Sequence, residues 1–153
     1  MKYLIALISL FVFISCSSDD EVQATFELWE GPMITFEKEA GADPTVEANQ
    51  DRINDDVWIT RGNSGGQIYN IAVEDFSSKD TSPLGTQWAV GTLSEVENLS
   101  FSSFRSAVGS PQNVAGKQLV MHLEEADVYL AVEFTSWTSG QSGGFSYTRS
   151  TEN

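Results

Sequence analysis

The ten residues Val128-Tyr129-Leu130-Ala131-Val132-Glu133-Phe134-Thr135-Ser136-Trp137 alternate with a period of two. Successive side chains of a strand point to opposite faces of a sheet. Val128, Leu130, Val132 and Phe134 therefore share one side, and Tyr129, Ala131, Glu133, Thr135 and Trp137 the other. The first set reads as core. The second mixes rings with a carboxylate and a hydroxyl, so it predicts a face that is partly wet or lines a groove.

Outward from this strand the same vocabulary recurs. Runs rich in β-branched and aromatic residues occupy Thr25–Trp29, Met33–Glu37, Asp56–Arg61, Gln67–Glu74, Gln87–Thr92, Asn98–Phe101, Gln118–Glu124 and Gly144–Ser150. Between them lie turn sequences: Gly31-Pro32, Asn63-Ser64-Gly65-Gly66, Ser82-Pro83-Leu84-Gly85 and Ser139 to Gly143. One short helix is expected over Ser102–Val108. Strands at short spacing without intervening helices predict an all-β domain, an antiparallel β-sandwich of jelly-roll type over residues 24–153. An immunoglobulin-like sandwich is the alternative. The expectation is nine strands, give or take two, with Val128–Phe134 central and helix below about a tenth.

Composition sets the outer limits. A chain of 153 residues suits one domain, and a 41% hydrophobic share is too high for a disordered chain. The single cysteine excludes an internal disulfide framework and multi-cysteine metal sites. Twenty-two acidic against 8 basic side chains give a net charge of −14, which argues against nucleic acid as a partner.

The first residues read as an export signal. Lys2 is a positive start, and Tyr3 to Ile14 is apolar apart from Ser9. That run is too short to span a bilayer as a helix and has the proportions of a secretory core. Phe13-Ile14-Ser15-Cys16 followed by Ser17-Ser18-Asp19-Asp20-Glu21 resembles a bacterial lipoprotein signal of the Bacteroidota type. Phe13 departs from the aliphatic residue usual three places before the cysteine. The resemblance implies removal of residues 1–15, lipid on Cys16, and an acidic tether over 16–23. The implied place is the outer membrane, facing outward, with the membrane as partner through that lipid. An ordinary signal peptide with a chance cysteine is the other reading. Without Lys2 the remaining chain is still more acidic, so it should stand off anionic lipid heads on its tether.

Catalytic patterns are sparse. His122 is the single histidine, inside an apolar strand, where a histidine is more often structural than a base. No metalloprotease helix motif or phosphate loop occurs. A glycosidase needs two carboxyl groups across the bond. The Glu-x-Asp spacing that suits this, Glu125–Asp127, and Glu124–Asp127 with one residue more, lie in an expected hairpin turn. Oxygen ligands crowd Asn49 to Asp56, so Asp51, Asn54, Asp55 and Asp56 form a candidate structural calcium loop, or else a solvated acidic turn.

The rings remain. Trp58 alternates against Val57 and Ile59, as Tyr129 and Trp137 alternate against the aliphatic set. A ligand face is therefore expected to present Trp58, Thr60, Tyr129, Glu133 and Trp137, with Arg61, Tyr147 and Arg149 at its rim. Arg61 and Arg149 each end a strand beside a Gly-rich turn, and an ion pair with one of the many acids is their other reading. Val57-Trp58-Ile59-Thr60-Arg61-Gly62 and Phe134-Thr135-Ser136-Trp137-Thr138, with Gly143-Gly144-Phe145-Ser146-Tyr147-Thr148-Arg149, look like parts of an extracellular bacterial module. That resemblance carries no activity and implies only an extracellular β domain. The expected function is a non-catalytic, surface-exposed binding module for glycan or a partner protein. A small glycan-active hydrolase or lyase is the alternative, and a purely structural lipoprotein the third reading. The anchor is directly testable: Cys16→Ala is expected to release the protein from the membrane fraction, and unchanged membrane association would refute it.

Overall fold

The computed structural model describes residues 26–153. Cys16 and the acidic tether lie outside the described residues. Strands hold 34% and helices 13% of what is described, in one all-β sandwich-like domain. Nine strands appear in chain order: β1 Glu27–Trp29, β2 Ile34–Lys38, β3 Asp51–Arg52, β4 Trp58–Arg61, β5 Ile68–Asn70, β6 Thr86–Val90, β7 Gln118–Leu123, β8 Val128–Trp137 and β9 Phe145–Arg149.

The larger sheet runs β2-β9-β8-β7-β6, all antiparallel, and the smaller runs β3-β4-β5. The pairs β3-β4, β4-β5, β7-β8 and β8-β9 are consecutive in the chain, whereas β2 pairs across the sequence with β9 and a stretch holding three helical turns separates β6 from β7. β1 is the exception to antiparallel pairing. It lies parallel to the first part of β8, Glu27 opposite Val128, while β9 takes the same edge of β8 from Val132 onward. The longest strand is thus central, because two partners share one of its edges and β7 takes the other.

Alternation places the core where the sequence put it. Val128, Leu130, Val132 and Phe134 are buried and stand beside Leu119, Met121 and Leu123 of β7. From the small sheet, Ile59 and Ile68 join the same cluster, so the two sheets share one core. Trp88 meets Phe104 edge-on at 5.1 Å, and Phe134 meets Tyr147 edge-on at 5.2 Å. Phe104 comes from α1 Phe104–Val108, the one α-helix among the described residues, inside the expected Ser102–Val108.

Four stretches differ from expectation. Asn98–Phe101 is not a strand: a 3-10 helix, Leu93–Asn98, occupies its approach. Thr92-x-x-Glu95 is a capping box, with the Glu95 carboxylate accepting from the Thr92 amide and hydroxyl, and it starts that helix. Two more 3-10 turns, Glu47–Asn49 and Pro111–Asn113, raise the helical share above the expected tenth. Asp51–Arg52, read as loop, is strand β3.

A buried clasp joins the sheets. Arg149 on β9 donates to Asp51 on β3 through Nε at 2.7 Å and Nη2 at 3.0 Å, a two-pronged pair. The Tyr147 hydroxyl donates to the same carboxylate at 2.6 Å. Removing one member of a buried pair strands the other, which costs about 3–5 kcal/mol. Asp51→Ala is expected to lose that much in urea denaturation. Burial first, and the Asp51 carboxylate second, push the Tyr147 hydroxyl well above the ordinary tyrosine range. The folded state therefore holds that proton more tightly than the unfolded chain. Its contribution is complete below about pH 10 and is lost as pH rises through the folded-state value. Tyr147→Phe should flatten the alkaline fall in stability above about pH 10; an unchanged slope would refute the assignment.

Candidate functional site

The eight residues expected on one ligand face fall in three places. Tyr129 and Glu133 do stand on the outer face of the large sheet. There Tyr129 stacks flat on His122 at 4.2 Å and takes the edges of Phe26 and Phe101. His122 Nε2 is 2.9 Å from Asp127 Oδ1. Trp58 and Thr60 stand on the outer face of the small sheet. The Arg52 guanidinium covers the Trp58 ring at 4.2 Å, and buried Thr60 donates to the Asn49 carbonyl at 2.7 Å. Arg61, Trp137, Tyr147 and Arg149 point inward between the sheets.

Trp137 changes sides because β8 carries a bulge. Phe134 pairs with Tyr147, but the next matched pair is Ser136 with Ser146, and then Trp137 with Phe145. One extra residue on one strand reverses the faces beyond it. The Ser146 hydroxyl bonds both Thr135, at 2.6 Å, and Ser136, at 2.7 Å, which holds the bulge in place. Trp137 thus leaves the Tyr129 face and packs beside Phe104, Phe134 and Phe145.

The acidic loop is also divided. Asp51 turns inward to the clasp, so it does not converge with the others. Asn54 Oδ1 accepts from the amides of Asp56 and Val57, at 3.0 and 2.8 Å, which is turn chemistry. Asp55 and Asp56 remain at the surface. Among the described residues, no cluster of three or more His, Cys, Asp or Glu converges in a way that could hold a metal ion.

The structure instead gathers cations. Arg61 is 3% exposed, and its guanidinium lies 4.0 Å above the Trp137 ring. Its hydrogen bonds go to carbonyls: Nε to Gly66, and Nη1 to Thr138 at 3.0 Å and Gly144 at 2.9 Å. No carboxylate among the described residues lies within 4.0 Å of it, in a chain holding 22 of them. Burial pushes its pKa down to about 10. Lys38 lies deep in the same region, 1% exposed, donating to Asn63 Oδ1 at 3.0 Å and the Gly143 carbonyl at 3.3 Å. Burial lowers the Lys38 pKa, the Arg61 charge lowers it further, and Asp43 partly opposes both. Glycine is required at 143, where φ is +68° and an added Cβ would collide with the Gly62 carbonyl.

Arg61 and Trp137 line a pocket of about 120 Å³ with Arg105, Ser110, Gln112 and Gly140. Arg105 Nε is buried without a hydrogen-bond partner. Gly66 lines both this pocket and a more open cleft of about 540 Å³, whose other walls include Asn63, Ser64, Tyr69, Asp75 and Phe76. Phe76 is 77% exposed. A third cleft, about 460 Å³, lies near the β7–β8 hairpin between Asn54, Asp56, Val73, Leu84 and Glu125.

The sequence reading found Arg61 and Trp137 but missed Lys38, Arg105 and Gln112. A usable signal existed for Lys38: Ile34, Phe36 and Lys38 share one period-two face, which puts a scarce cation on the apolar side. Arg105 follows Phe104 in a one-turn helix, and only the fold shows which way it points.

The two arginines should separate by stability. Arg61→Met withdraws charged donors from three carbonyls and is expected to cost about 2–3 kcal/mol. Arg105→Met removes an unpartnered donor, so stability should stay within about 0.5 kcal/mol or rise. Urea midpoints compare them, and equal losses would mean that Arg105 serves the fold as Arg61 does. No family model, curated protein or solved structure matches this chain.

Proposed function

We propose that this protein is a non-catalytic binding module, held at the outer membrane by lipid on Cys16 and displayed at the cell surface, where it takes an extracellular glycan or a partner protein. The observation that carries the reading is the arginine pocket. Buried polar groups are normally satisfied, yet among the described residues the Arg105 donor has no partner and Arg61 has no counter-charge within 4.0 Å. Donors left over in a concave site suit recognition. The adjoining cleft adds an exposed ring, Phe76, beside the polar side chains of Asn63 and Ser64, a combination that fits a sugar chain. The site is therefore read at Arg61, Arg105 and Trp137 rather than on the face of Tyr129 and Glu133.

One observation favours the second reading, a small glycan hydrolase or lyase. Asp56 and Glu125 line the same third cleft, and two carboxyl groups across a groove are what glycoside cleavage uses. The two readings separate on a polysaccharide panel. Retention without release of reducing or unsaturated ends is the expected result. Turnover that disappears in Glu125→Gln would instead select the enzyme.

A further inference from the structure

We infer that the Arg61–Arg105 pocket binds a single carboxylate or sulfate group carried on an otherwise neutral sugar chain. This rests on the binding-module reading above and names the chemistry of its ligand.

The pocket is built for negative charge. Arg61 and Arg105 both line it, and Ser110 and Gln112 add uncharged polar side chains. No Asp or Glu is among its lining residues. Arg61 is already held in place by three carbonyls, so an incoming anion meets a fixed donor rather than a flexible one. Neither Arg61 Nη2 nor Arg105 Nε has a protein partner among the described residues. A guanidinium and a carboxylate or sulfate match in shape and charge.

Size and long-range charge narrow the ligand further. About 120 Å³ holds one small group, not a sugar ring. The rings would continue past Gly66 into the cleft of Tyr69, Asn63 and Phe76. The whole chain carries −14, so a polyanion approaches against repulsion that salt screens only beyond about 8 Å. A locally positive pocket in a strongly negative molecule selects an isolated charge. A neutral oligosaccharide ending in one uronate has that pattern. A heavily sulfated chain does not.

The test is calorimetric titration of the full mature protein with four probes. They are a neutral oligosaccharide bearing one glucuronate, the same oligosaccharide with its carboxyl reduced, sodium sulfate, and a short neutral peptide with a free C-terminal carboxylate. The acidic oligosaccharide is expected to bind on the order of tenfold tighter than its reduced form. Arg105→Met and Gln112→Ala, each checked for native melting, should remove most of that difference. Equal affinity for both sugars in native protein and in Arg105→Met would overturn the anion inference and leave the binding module standing. Tighter binding of the peptide than of either sugar would overturn the sugar as the source of the anion. Binding of sulfate with neither sugar retained would overturn it likewise. Silence with all four probes would overturn both this inference and the reading it rests on.

Discussion

Everything in this sandwich depends on one carboxylate of β3 being held by two side chains of β9. Asp51 sits on a strand only two residues long, too short to hold a sheet edge by backbone pairing alone. Its hydrogen bonds to Arg149 and Tyr147 tie that strand to the far sheet. A charge pair buried this deeply must be nearly complete in its hydrogen bonds to offset desolvation. Here three donors converge on two oxygens. The clasp fixes where β3 and β4 lie over β9, and so where Arg61, at the end of β4, meets Trp137.

The second constraint is the bulge in β8. Up to Phe134 the period-two pattern was legible from the residues alone, and it placed the core aliphatics correctly. Beyond Phe134 the same arithmetic sends Trp137 to the wrong face, because a bulge leaves no mark in hydrophobic alternation. The local hydroxyls that hold it, Thr135, Ser136 and Ser146, are ordinary surface residues to a sequence reader. Arg149 shows the opposite case. An ion pair was one of its two readings, but which of 22 acids it meets is a question of tertiary packing. The acid turned out to be Asp51, which the local crowding of oxygens had suggested for calcium. Strand positions were mostly legible, apart from Asn98–Phe101, where Thr92 and Glu95 cap a helical turn instead.

Charge distribution is the least legible property. A net charge describes the surface, and the surface here is strongly acidic. Lys38, Arg61 and Arg105 reverse the sign within one small region, at the end of the sandwich where the Gly62–Gly66 and Ser139–Gly143 turns meet. Two of these cations lie under backbone carbonyls rather than beside carboxylates. Carbonyl dipoles stabilise a cation without neutralising it, so the local field survives for a ligand to use.

The parallel pairing of β1 with β8 also sets a direction for the molecule. Glu27 lies against Val128 at the start of β8, with its amide on the Asp127 carbonyl, whereas Trp137 ends the same strand. Nine steps along a strand span roughly 30 Å. The polypeptide therefore enters the domain at one pole, and the arginine pocket opens near the other. Whatever binds at the cation pocket therefore does so at the end of the domain opposite to the one where β1 begins.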